Sequence, residues 1–264
     1  MSDLKQAIKQ NYLKCAKEPS YFINQFCTIQ HPQRGKIKFK LYPFQYDVLK
    51  EYQAHDYNVI LKSRQLGIST LSAAYSLWMM LFQNDKNILV IATSKDTAKN
   101  LITKVRIMYE ALPAWLKTAI VENNKLSLIF KNGSQIKAIA SNESAGRSEA
   151  LSLLILDEAA FIEKIDVIWT AAQQTLATGG RCLAISTPNG VGNWFHKTWQ
   201  DAKDGANKFN TVKLHWTCHP ERDETWRREQ DRILGPSQAA QECDADFLSS
   251  GRSVVDPAVL EWYK

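Results

Sequence analysis

Residues 59–70 read Val-Ile-Leu-Lys-Ser-Arg-Gln-Leu-Gly-Ile-Ser-Thr. An apolar run of strand length enters a tight loop, and a hydroxyl pair, Ser69 and Thr70, opens a helical pattern. Such a loop gathers backbone N–H groups at the positive end of a helix, which is the chemistry of phosphate binding. The cradle runs through Ser63, Arg64, Gln65, Leu66, Gly67 and Ile68 to the hydroxyl pair, with Gly67 allowing close approach. Ser69 is the hydroxyl suited to Mg2+. Ile68 stands where such loops carry a lysine, and it cannot neutralise a phosphate. Arg64 and Lys62, at the front of the loop, are the two cations able to replace it, and Arg64 is the favoured one.

A second pattern, Leu151-Ser-Leu-Leu-Ile-Leu-Asp157-Glu158, is a buried strand ending in two carboxylates. In open α/β sheets ligands bind at the carboxyl ends of strands. A carboxylate there holds Mg2+, and its neighbour polarises an attacking water. A third strand, Cys182–Ser186, ends in Ser186 and Thr187, whose hydroxyls can bond a phosphate-side water or the carboxylates. Read singly, the last two are ordinary strand-to-turn junctions. Following the loop, the acidic pair supplies the other half of a nucleotide site.

These residues need a parallel sheet to hold them. Apolar strands Val59–Leu61, Ile88–Ala92, Leu153–Leu156 and Cys182–Ser186 alternate with helical patterns at Ser69–Phe82 and Asp96–Leu112. That alternation predicts a doubly wound α/β core. Asn132-Gly133, between Leu126–Phe130 and Gln135–Ala140, predicts a hairpin. Three regions follow: an N-terminal helical segment (1–40) packing on a lid, a core (41–207), and a small helical lid subdomain (208–264). With 264 residues, 45% of them hydrophobic, the chain can bury a sizeable core. The net charge of +6 is compatible with a nucleic-acid partner. Five cysteines without a CxxC pair point to a reducing compartment. No apolar stretch approaches the roughly 20 residues that span a bilayer, so no membrane is expected.

In order, Tyr42-Pro-Phe-Gln45, Ser63-Arg-Gln-Leu-Gly67, Leu156-Asp-Glu-Ala-Ala-Phe161 and Ser186-Thr-Pro-Asn-Gly190 resemble the large terminase subunit of tailed bacteriophages, most of all the T4-type DNA-packaging ATPase. The resemblance covers about Leu41 to Gly251 and implies a RecA-like P-loop NTPase core with a mainly parallel sheet. It implies ATP and Mg2+ as cofactors, with Gln45 reading adenine, Phe44 stacking on it, and Ser69 with Asp157 holding the metal. It further implies Glu158 as catalytic glutamate, Ser186 and Thr187 as the coupling motif, Arg64 as the loop cation and Arg147 as an arginine finger. The implied partners are double-stranded DNA, the portal protein of a procapsid, the small terminase subunit and further copies in a ring, all in the host cytoplasm. A monomer is expected in isolation. The stretch Asp246–Gly251 resembles the passage into that family's nuclease domain, whose acidic cluster does not follow, so no DNA cleavage is expected.

Two other readings share some of these residues: a superfamily 2 helicase fragment, which needs a second RecA domain, and a nucleotide-binding assembly module in which the Ile68 loop has lost hydrolysis. His215, Cys218 and His219 lack a second cluster at zinc spacing. Lys95, Lys99 and Arg106 share one helix face, and Glu221–Arg232 reads as an exposed helix.

Overall fold

The computed structural model describes residues 2–141 and 149–248. Two helices, α1 (Ser2–Lys17) and α2 (Pro19–Phe26), precede an antiparallel ribbon of β1 (Thr28–His31) and β2 (Gly35–Lys38), then α3 (Pro43–Ala54). Next come β3 (Tyr57–Lys62), α4 (Ile68–Phe82), β4 (Asn87–Ala92) and α5 (Lys95–Glu110). Strands β5 (Ile120–Asn123), β6 (Ser127–Phe130) and β7 (Gln135–Ala140) lead to β8 (Leu153–Asp157) and α6 (Ile165–Leu176). The chain continues through β9 (Arg181–Ser186), α7 (Trp194–Lys203), β10 (Asn210–Leu214), α8 (Glu224–Leu234) and α9 (Pro236–Cys243).

Eight strands form one sheet in the order β10-β3-β9-β8-β4-β7-β6-β5. From β10 to β7 all neighbours are parallel, and β6 and β5 add an antiparallel edge. The β6–β7 turn is the expected Asn-Gly hairpin: Gly133 takes φ +80° and Phe130 N–H bonds Ser134 O at 2.9 Å.

Alternate strand residues point to opposite faces, so each buried strand feeds two cores. Ile60, Val90, Ile155 and Ile185 pack with Leu49, Leu71 and Val105 on one side, while Val59, Ile91, Leu156 and Ala184 pack with Ile168 and Phe195 on the other. The result is the expected α/β architecture, with a mainly parallel sheet between helical layers. Among the described residues no helix is long and apolar enough to cross a membrane.

Two expectations are corrected. The sheet does not end at 207, because β10 pairs with β3 from Asn210↔Asn58 to Leu214↔Lys62. Its half-exposed Asn-Thr-Val-Lys-Leu sequence carries little of the apolar signal of a buried strand. Among the described residues the N-terminal helices pack on α4, where packing on the lid was expected. Phe22 meets Phe82 edge-on at 5.4 Å, and the Trp78 indole N–H donates to Cys15 O at 2.8 Å. The reason lies in α4, which buries every residue from Leu71 to Leu81. A helix apolar all round needs cover on its outer side as well.

Candidate active site

The phosphate loop joins the C-terminal end of β3 to α4. Gly67 adopts φ +73°, ψ +13° at the helix N-cap, a left-handed conformation that suits glycine. A Cβ there would stand 2.8 Å from Gln45 Nε2. The first amides of α4 have no acceptor within the helix, and with the helix dipole they form a site for anions. Ile68 does not face that site. Ile68 and Leu66 are buried in the core beneath the loop.

Opposite the loop, β8 ends in Asp157, and Glu158 turns through a left-handed conformation, φ +56°, ψ +48°. Ser69 Oγ donates to Asp157 Oδ1 at 2.8 Å. Lys62 Nζ, on a side chain only 5% exposed, donates to Glu158 Oε1 at 3.1 Å. Glu158 Oε2 accepts from Ser186 Oγ at 3.5 Å and from Thr187 N–H at 3.4 Å. Ser186 Oγ also accepts from Ala160 N–H at 3.1 Å. Topology explains this convergence, because β9 lies between β3 and β8 and brings Ser186–Thr187 between loop and carboxylates. Burial, then the charge of Glu158, raise the Asp157 carboxyl above the usual carboxylate range, against the lowering pull of Ser69, Lys62 and Lys104.

The front of the loop faces elsewhere. The Arg64 side chain is 65% exposed and pairs with Glu242 Oε1 at 2.8 Å, while Arg64 N–H donates to Glu242 O at 2.7 Å. Ser63 N–H donates to Leu214 O at 2.8 Å, and Ser63 Oγ bonds Cys243 O. Arg222, stacked over Trp226, donates to Arg64 O at 3.1 Å and to Gln65 O at 3.2 Å. Residues after β10 thus clasp the loop from outside, and it is Lys62, not Arg64, that the structure places against the carboxylates.

Gln45 is 2% exposed. Its Oε1 accepts from Tyr42 N–H at 3.1 Å, and its Nε2 donates to Leu66 O at 3.0 Å. The side chain expected to read a base is here a strut between the start of α3 and the loop. Phe44 stacks on Tyr42 at 5.9 Å, and Tyr42 meets the His219 ring at 4.6 Å.

Lys104 was not anticipated. It is half-buried on α5, burial lowers its pKa, and its charge acts on Asp157. The available signal was a lysine three residues after Leu101 and four before Met108, inside the apolar stripe of its helix. Arg106 is tied to Asn123 Oδ1 at 2.8 Å and to Asn124 O. Arg147 lies outside the described residues.

Residues 59–254 match the family described as Terminase large subunit, T4likevirus-type, N-terminal. The terminase large subunit of Thermus virus P23-45 is 27% identical over 227 residues, covering 72% of this chain and 46% of that protein. The large terminase ATPase domain of Thermus phage P74-26 superposes with a TM-score of 0.63 at 22% identity, over 80% of this chain and 95% of that one. A large terminase from a thermophilic bacteriophage, solved in complex with ADP, gives a TM-score of 0.64 at 14% identity, over 79% of this chain and 54% of that one. The matches span less than half the length of the curated relatives.

Proposed function

The chain belongs to the T4-like-virus type of terminase large subunits, and on that premise we propose that it is a packaging ATPase, hydrolysing ATP to move double-stranded DNA into a procapsid. The observation that carries this reading is the double apposition of Ser69 to Asp157 at 2.8 Å and Lys62 to Glu158 at 3.1 Å. It joins a phosphate cradle to two carboxylates with different surroundings.

The donor set suits the cofactor. Ser69 hydroxyl and Asp157 carboxylate are hard oxygen ligands of the kind Mg2+ takes, and Mg2+ bound there would offset charge on the β- and γ-phosphate oxygens. Lys62 would supply the cation that position 68 lacks. When Lys62 turns to phosphate, Glu158 Oε1 is released to take a proton from the attacking water. Glu158 Oε2 stays against Ser186 and Thr187, so the carboxylate's position is relayed into β9 and the turn leading to α7. Arg64 would serve the clasp with Glu242. Arg147 would act on a neighbouring subunit of a homo-oligomeric ring, with the portal protein and the small terminase subunit as further partners in the host cytoplasm.

Steady-state turnover of Mg-ATP by the whole chain tests this reading. Glu158→Gln is expected to lose about 10²–10⁴-fold in kcat, the range for removing a general base, with ATP binding retained. Undiminished turnover in that variant rejects the assignment.

A further inference from the structure

Charge is unevenly divided along this chain. The first forty residues hold eight Lys or Arg (Lys5, Lys9, Lys14, Lys17, Arg34, Lys36, Lys38, Lys40) against Asp3 and Glu18. That difference equals the whole net charge of +6, so the other 224 residues are neutral. No Asp or Glu occurs between Glu18 and Asp47. None of the eight cations is ion-paired among the described residues.

The β1–β2 ribbon concentrates this charge. Period-two alternation puts Lys36 and Lys38 on one face, followed by Lys40, while Phe39 turns into the core. Lys38 and Lys40 donate to Gln25 O at 3.1 Å and Asn24 O at 3.2 Å, capping the end of α2. Arg34 and Lys36 are exposed, and their side chains make no hydrogen bond among the described residues. Helix capping therefore accounts for two of the four ribbon cations and leaves the pair nearest the tip without a side-chain hydrogen bond or ion pair among the described residues.

We propose that this exposed basic ribbon is a docking surface for the phosphate backbone of duplex DNA. A two-stranded ribbon is narrow enough for the major groove, and alternate residues about 6.8 Å apart present successive cations to a regular polyanion. This surface rests on the reading that DNA is the chain's cargo, and it adds where the duplex is held.

The test is fluorescence anisotropy of a labelled 30-base-pair duplex against the whole chain over a series of salt concentrations, with ATP turnover read in the same preparations. Arg34→Ala/Lys36→Ala is expected to weaken binding about tenfold at low salt and to reduce the slope of log K against log salt by about two. Arg228→Gln/Arg232→Gln, which removes equal charge from α8, is expected to leave both within twofold. An unchanged slope in the ribbon variant overturns the proposal. So does a variant that only aggregates more, which would make these cations guards of an exposed strand edge. So does loss of portal-bearing procapsid binding with duplex binding intact. Wild-type protein that binds no duplex overturns the surface, while its turnover still reports separately on the ATPase reading.

Discussion

At 3.1 Å, Lys62 and Glu158 hold one another, and under the proposed function Lys62 is the cation that position 68 lacks. The sequence favoured Arg64, yet a signal for Lys62 lay in β3. Strand alternation puts Lys62 on the face of Ile60, which packs with α4, the helix to which the loop returns. Distance along a loop says nothing of which way a side chain turns, and Arg64 turns to Glu242. Asp157 yields a prediction with a definite sign. Its pKa is raised in the folded chain, so the folded state binds the proton more tightly than the unfolded state does. That contribution to stability is present below the ordinary carboxylate pKa and is lost as pH rises through the raised value. Metal-free Asp157→Asn, which keeps an acceptor for Ser69, should therefore melt a few degrees above wild type at neutral pH, the gap closing towards pH 4. Thermal melts in EDTA across pH check this, and equal curves at every pH contradict it.

Among the elements, most of what the sequence predicted is found. Strands β3, β4, β8 and β9 and helices α4 and α5 stand within one or two residues of their apolar patterns, because buried parallel strands and long helices carry the strongest periodic signal. Two missed strands have weak patterns, whereas the unpredicted helices α6 and α7 carry buried residues at helical spacing. Strand β10 is half-exposed, and β5 is exposed along its length. The packing of α1 and α2 depends on which helix lacks cover, a property of the assembled layers. Gln45 was found by motif, but its bonds to Tyr42 N–H and Leu66 O appear only in three dimensions. Gln45→Ala leaves those groups without their partner, so it should cost about 1–3 kcal/mol and raise the KM for ATP. Urea denaturation and initial-rate kinetics read the two effects. An unchanged midpoint with unchanged KM would show that the strut is dispensable.

For the whole molecule, a sheet whose strand ends bring the loop, the carboxylates and the Ser186 and Thr187 hydroxyls together would, as the proposed ATPase, still need charge to stabilise a transferring phosphoryl group. An arginine supplied from outside the site is worth roughly 10³–10⁵ in rate. If Arg147 acts between subunits, turnover per chain should rise with protein concentration or with assembly. Mixing inactive Arg147→Ala with inactive Glu158→Gln should then restore part of the activity, since some interfaces regain both residues. Mixtures no more active than their components would place Arg147 in its own subunit's site or outside the chemistry.

The account depends most on which cation serves the phosphates, and side-by-side kcat for Lys62→Ala and Arg64→Ala under saturating Mg-ATP decides it. Loss of about 10²-fold or more, the scale of one preorganised electrostatic contact to the reacting group, is predicted for Lys62→Ala, and less than about fivefold for Arg64→Ala, an exposed pair of small energetic weight. The reverse order, with Lys62→Ala near wild type and Arg64→Ala inactive, would contradict the account.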